Sequence, residues 1–203
     1  MSLANVILWR HGQTDYNAAG KLQGQVDIPL NATGISQATQ AAAVLSGVRP
    51  SVVITSDLSR AADTAKYLAE QTGVETIVDT RLRERSFGDW EGLTRQEIHQ
   101  RWPDEYEVWR RGGHPQGINA ESRGDLGARI AEAVDEWARE FEISDTVVFV
   151  GHGAAISSGI TTLLGQDPES WRGISGLSNC HWSVLEPGAG QPKWRLTGHN
   201  VGP

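Results

Sequence analysis

The chain has 203 residues, 38% of them hydrophobic, and a net charge of −7 from 18 Lys and Arg against 25 Asp and Glu. That length suits one domain with a substantial core. The acidic balance excludes a general binder of nucleic acid or of anionic membrane, since both attract a basic surface.

One cysteine, Cys180, rules out an internal disulfide or a cysteine-based metal cluster. No stretch approaches the ~18–20 apolar residues of a membrane span, and the opening MSLANVILWRHG lacks a basic leader region. The expectation is a cytoplasmic protein with no membrane or nucleic-acid partner, forming one domain over residues 1–203. The cations are lopsided, 15 Arg to 3 Lys. Arginine's planar fork suits phosphate and carboxylate, so a local anion site is worth seeking.

In chain order, Val6-Ile7-Leu8-Trp9 reads as a buried strand ending at Arg10-His11-Gly12. A polar loop runs from there through Pro29. Thr33, as N-cap, opens an Ala-rich helix to about Ser46. Val52-Val53-Ile54 is a second strand, followed by Thr55-Ser56-Asp57 and a helix from Leu58 to about Gln71 that stops near Gly73. Glu75 to Val78 is a third strand. Residues 80–121 are rich in Gly and Pro, with short helical pieces near 95–101 and 103–110, and read as a lid-like insertion. Ser122 to Phe141 is an amphipathic helix. Val147 to Val150 is the most hydrophobic strand and runs into Gly151-His152-Gly153 and a helix to about Leu164. Cys180 to Leu185 and Trp194 to Leu196 are two late strands around a Pro187-Gly188-Ala189-Gly190 turn. This alternation predicts a three-layer α/β/α sandwich with a mostly parallel central sheet, whose ligands bind beyond the carboxyl ends of the strands.

Three of those strand ends carry polar residues: Arg10 and His11, then Ser56, Asp57 and Arg60, then His152. Glu84 follows the third strand. Two arginines with histidine donors make a pocket of the charge and fork geometry that phosphate needs. Positive neighbours push an imidazole there toward its neutral, nucleophilic form. A neutral imidazole attacks phosphorus, and a carboxyl group at the edge protonates the leaving alkoxide. Nothing in this set requires a metal or another cofactor. Each residue alone also has an ordinary reading: a surface or structural His, a salt-bridged Arg60, a solvated Glu84. Two strand-ending histidines in one sheet weigh toward chemistry without deciding it.

The order of motifs adds more. Arg10-His11-Gly12-Gln13-Thr14 with Asn17, Leu22-Gln23-Gly24, Ser56 to Ala61 with Thr64, Leu82-Arg83-Glu84 with Phe87 to Gly92, and Gly151-His152-Gly153 together resemble the histidine phosphatase superfamily, the phosphoglycerate mutase-like fold. The resemblance covers nearly the whole chain. It implies a metal-independent phosphatase acting on a small phosphorylated metabolite through a phosphohistidine, and a homodimer. His11 would be the nucleophile. Arg10, Arg60 and His152 would bind the phosphoryl group, Asn17 would add a donor, Glu84 would be acid and then base, and Gln23 and Gly24 would line the entrance. Mutases of the family carry a longer chain, an Arg-Arg insertion and His-Tyr-Gly soon after the acid. This chain has Arg85-Ser86-Phe87-Gly88 there, which favours a phosphatase. A non-catalytic binding protein on the same fold is the other alternative. His99, His114, His181 and His199 lack a strand-end setting, and Cys180 reads as a buried small hydrophobe.

Overall fold

The computed structural model describes residues 3–203. One six-stranded sheet has the order β3-β2-β4-β1-β5-β6. Its strands are β1 (Asn5–Arg10), β2 (Val52–Thr55), β3 (Thr76–Val78), β4 (Thr146–Gly151), β5 (Trp182–Pro187) and β6 (Trp194–Val201). The first four are mutually parallel, while β5 joins β1 antiparallel and β6 continues antiparallel at the edge. The helices are α1 (Asp15–Ala18), α2 (Ala32–Leu45), α3 (Ser59–Thr72), α4 (Arg95–Arg101), α5 (Pro103–Arg110), α6 (Arg123–Arg139) and α7 (Gly153–Leu163). No described helix is long and apolar enough to cross a membrane.

Side chains alternate across the pleat, so each strand feeds two cores. Val6 and Leu8 join Val147, Phe149 and the apolar faces of α6 and α7. Ile7 and Trp9 join Val148, Val150 and the small-residue faces of α2 and α3. This sandwich is the three-layer α/β/α arrangement expected from the alternation. Residues 80–121 form more than an irregular lid: Phe87, Trp90, Ile98 and Ile118 make a third buried cluster, with Trp102, Tyr106 and Trp109 packed against it.

Several boundaries differ from the sequence reading. The N-cap of α2 is Asn31, whose side chain accepts the Gly34 N–H, and Thr33 already lies inside the helix. A one-turn helix, α1, sits in the expected polar loop, closed by a Thr14–Asn17 capping box. Cys180 is not on a strand. It is buried with φ +57°, in the turn before β5, and its N–H is drawn to the Arg10 and His11 carbonyls at 3.1 and 3.2 Å. β6 extends five residues past the expected Leu196 because it pairs along β5 as far as Trp182–Val201.

Candidate active site

The parallel register of β1, β4 and β2 builds the site. Arg10 lies beside Gly151, and Thr55 beside Val150, so three strands end together at one rim. The backbone continues the pairing: His11 N–H donates to Gly151 and Ser56 N–H to Val150, both over 3.0 Å. His11 and His152 thus leave adjacent strands side by side, with ring centroids 5.1 Å apart.

His11 is buried, and its Nδ1 lies 2.6 Å from the Gly12 carbonyl. A carbonyl only accepts, so Nδ1 carries the proton and Nε2 keeps its lone pair. Burial first, then the charges of Arg10 and Arg60, hold this imidazole well below the usual histidine range, against a smaller opposite effect of the Gly12 hydrogen bond. The ring is neutral at pH 7 and its free nitrogen is a nucleophile. Gly12 N–H is anchored to Thr64 Oγ1 at 3.1 Å, and Asn179 Nδ2 holds the His11 carbonyl at 3.0 Å.

Arg60 is fully buried on the first turn of α3. Its Nε donates to His152 Nδ1 at 3.2 Å, and its two terminal nitrogens donate to the Val26 and Gly24 carbonyls at 2.8 Å each. With Nδ1 accepting, neutral His152 carries its proton on Nε2, 3.0 Å from Ser56 Oγ. Burial, then Arg60, His11 and Arg10, hold this imidazole below its usual range too. Arg10 donates from Nη1 to the Leu177 carbonyl, while its buried Nε has no partner among the described residues. An orphaned guanidinium N–H in a cationic pocket is a donor waiting for an anion.

Glu84 reaches the same place from the lid side. Its Oε2 accepts the Ala154 N–H at 3.1 Å, and its Oε1 accepts Ala155 and Arg85 N–H at 2.9 and 2.8 Å. The carboxylate therefore caps α7, whose own N-cap residue, His152, makes no capping bond. Asn17 spends its carboxamide oxygen on Thr14 and Asn179. Gln23 is buried against Thr14 Oγ1 at 2.7 Å, and Gly24 offers its carbonyl to Arg60. Both therefore support the pocket wall in this conformation.

Arg83 makes a forked pair with Asp57, and Arg85 is buried against the Glu121 carbonyl and His114. His181 and His199 are engaged with Asn179, Ser183 and Ser175, and His99 packs on Tyr106. Sequence reasoning missed Thr64 and Asn179 as supports, and the largest omission is Arg129. From α6 it donates to the carbonyls of Arg81, Arg83 and Glu84 and forks onto Glu121. No motif near Arg129 signalled this, because three of its four partners are backbone oxygens far away in sequence.

The chain is 39% identical over 209 residues to the glucosyl-3-phosphoglycerate phosphatase of Mycobacterium tuberculosis, covering 97% of this chain and 94% of that one. It is 36% identical to a probable phosphoglycerate mutase of Yersinia enterocolitica, covering 91% and 85%. The solved mycobacterial glucosyl-3-phosphoglycerate phosphatase complexed with VO3 superposes with a TM-score of 0.88 at 38% identity, covering 98% of this chain and 99% of that one. The family model for the histidine phosphatase superfamily, branch 1, matches residues 6–200. With that match over a site of two histidines, two arginines and a glutamate, the chain belongs to the histidine phosphatase superfamily.

Proposed function

We propose that this histidine phosphatase hydrolyses small phosphomonoesters through phospho-His11, without a metal, and that glucosyl-3-phosphoglycerate is its substrate. The observation that carries the chemistry is the His11 Nδ1–Gly12 contact of 2.6 Å, which leaves Nε2 free beside Arg10 and Arg60. The sugar-acid ester is supported by the names of the mycobacterial relatives at 36–39% identity.

The phosphoryl group binds in the cradle of Arg10, Arg60 and His152, with the orphaned Arg10 Nε among its donors. With Glu84 in its protonated form, His11 Nε2 attacks phosphorus, the P–O bond to the alcohol breaks, and Glu84 gives its proton to the departing oxygen, becoming the carboxylate that the Arg85, Ala154 and Ala155 N–H groups hold. A water then attacks phospho-His11 and passes its proton to Glu84. Phosphate leaves, and both residues return to their starting states. The guanidinium groups, fixed in place before the substrate arrives, meet the charge of the transition state, so little reorganisation is needed at the moment of reaction. Asn17 adds a donor, and Gln23 and Gly24 stand at the entrance. The lone buried thiol and the small, diffusible substrate suit the cytoplasm.

The test is phosphate release from glucosyl-3-phosphoglycerate in excess chelator, for the parent and for His11→Ala. Turnover in the parent and none in the variant is expected, with acid-labile phosphate trapped on the parent by rapid quench. Undiminished activity in His11→Ala overturns the nucleophile. Isomerisation of phosphoglycerate without phosphate release would establish the mutase alternative, and binding without either reaction the non-catalytic one.

A further inference from the structure

Near Glu84, three arginines come together without a carboxylate partner. Arg85, Arg123 and Arg172 make no ion pair within 4.0 Å among the described residues, although Arg81, Arg83 and Arg129 all do. Arg123 and Arg172 share one acceptor, the Gly112 carbonyl of the lid, which Arg123 Nη1 reaches at 3.0 Å. Arg172 also donates to the Pro168, Trp171 and Glu169 carbonyls, so its terminal nitrogens are occupied and it brings to the cavity its charge and its Nε. Arg123 makes no other hydrogen bond in the described protein, so most of its fork is open. Burial first, then the charges of Arg172 and Arg85, push Arg123 down to about 10. It stays cationic at pH 7 and is in want of an anion. Glu169 is the nearby carboxylate, and its Oε1 is taken by the Gly124 N–H at 2.8 Å.

Arg123 and Arg172 line a cavity of about 190 Å³ with Trp171, Ser157, Thr161 and Ala154. At roughly 30 Å³ per water that is room for about six waters, or one small organic acid. Its Ala154 wall is the same residue whose N–H holds Glu84 Oε2 at 3.1 Å. The cavity wall thus adjoins, through Ala154, the group assigned to protonate the leaving alkoxide. It offers the open Arg123 fork beside the Arg172 charge, an indole face, and the Ser157 and Thr161 hydroxyls, which donate to the Gly153 and Ser157 carbonyls and so can accept from a ligand hydroxyl. A cation, acceptors for hydroxyls and a flat apolar surface suit a carboxylate on a hydroxylated carbon skeleton.

We propose that this cavity is the leaving-group subsite and selects esters whose alcohol carries a carboxylate, held by Arg123 and Arg172. The proposal rests on the phosphatase reading of the neighbouring pocket and deepens it. It assigns recognition of the glycerate-type acid to α6 and to the segment after α7, rather than to Arg83, which Asp57 already occupies.

The test is a matched pair of substrates, 3-phosphoglycerate and glycerol 3-phosphate, which differ in a carboxylate against a hydroxymethyl group. p-Nitrophenyl phosphate serves as the reference for the chemistry. The expected parent preference is tenfold or more in kcat/KM for the acid, the scale of one charge-assisted hydrogen-bonded pair. Arg123→Leu and Arg172→Leu should each bring that ratio toward one, and Arg123→Lys should restore part of it by keeping the charge. A ratio that stays put in both leucine variants overturns the subsite, even where absolute rates fall. So does a parent that turns over all three substrates with no preference, an outcome that leaves the phosphatase reading standing. A parent that hydrolyses none of the three defeats the phosphatase reading, and the subsite with it.

Discussion

Arg60 donates its Nε–H to Nδ1 of His152 at 3.2 Å while its other two nitrogens grip the Gly24 and Val26 carbonyls. One buried guanidinium thus fixes both the tautomer of the second histidine and the loop at the entrance. Replacing it with lysine keeps the charge but loses the fork, since an ammonium on a flexible stem cannot make these three planar contacts. Arg60→Lys and Arg60→Ala are both expected to lower kcat/KM, by about 10²–10³-fold or more, with lysine recovering little. Steady-state kinetics on p-nitrophenyl phosphate measures this, and near-complete recovery by lysine would show that charge alone matters.

His11 and His152 are both held below the ordinary histidine range by burial and by arginine charge. The folded chain therefore binds fewer protons than the unfolded chain once pH drops below about 6.5, so acid favours unfolding. The stabilisation is fully present above that pH and is lost as pH falls beneath it. Each histidine should cost about 1 kcal/mol between pH 7 and 5.5. Asp57 and Asp79 are lowered, by the Arg83 hydrogen bond and by hydrogen bonds from Arg81 and Trp137 against their burial. Their contribution is lost only below the ordinary carboxylate range, outside this window. Urea unfolding at the two pH values checks the sum, and His152→Gln should remove about half of the difference. Equal stability of the parent at pH 7 and 5.5 would contradict the depressed values.

Glu84→Gln removes the transferable proton, keeps the carbonyl oxygen as acceptor for Ala155 and Arg85 N–H, and gives up the bond from Ala154 N–H. Alkyl esters need that proton on the leaving oxygen, whereas p-nitrophenolate leaves without it. A loss of about 10²–10⁴-fold in kcat on glycerol phosphates, with a much smaller loss on p-nitrophenyl phosphate, is expected. Equal losses on both substrates would remove Glu84 from the acid role.

The strand-end residues were legible in the sequence because the parallel sheet turns a one-dimensional cue, a polar residue after an apolar run, into a shared rim. Arg10, His11, Ser56, Arg60 and His152 follow from that rule and from register alone. The helix bounds of the lid were legible too, since Thr94 and Pro103 punctuate α4 and α5. Cys180 was misread because Cys-His-Trp-Ser-Val alternates like a strand, while the φ of +57° that seats it under Arg10 and His11 leaves no trace in composition. Asn179 and Arg129 were invisible for a related reason: much of what they hold is backbone, the His11 carbonyl for one and those of Arg81, Arg83 and Glu84 for the other, and backbone acceptors have no sequence signature.

Gly12 and Gly34 touch across the base of the catalytic loop. A Cβ on Gly12 would lie 2.5 Å from the Gly34 carbonyl oxygen, and one on Gly34 would overlap the backbone of Gln13. Neither glycine is there for an unusual φ; each is there because two main chains meet. Ala at either position must push α2 away from the loop that carries His11. We expect Gly34→Ala to destabilise the chain by roughly 1–3 kcal/mol, the ordinary cost of overpacking, and to lower kcat even at temperatures where it is folded. Thermal melts paired with p-nitrophenyl phosphate kinetics separate the two effects.

Arg129 joins four residues of the acid-bearing segment without itself facing the reacting groups. Its Nη1 donates to the Arg81 and Arg83 carbonyls at 2.5 and 2.7 Å, its Nη2 to the Glu84 carbonyl at 3.0 Å, and its Nε to Glu121 at 2.7 Å. The carbonyl of Glu84 is thus pinned from α6 while its carboxylate is pinned from α7, and the side chain between them has little freedom to leave the leaving-group side. Arg129→Met preserves the apolar stem and deletes these donors, leaving the half-buried carbonyls and Glu121 without a cation. We expect a stability loss of about 2–4 kcal/mol from the stranded acceptors. We also expect a catalytic defect of the same kind as Glu84→Gln but weaker: about tenfold in kcat on alkyl phosphates and less on p-nitrophenyl phosphate, with KM little changed. That leaving-group dependence distinguishes a positioning residue from a merely structural one. A general loss of folded protein would scale both substrates together, whereas a displaced acid slows the ester that needs its proton.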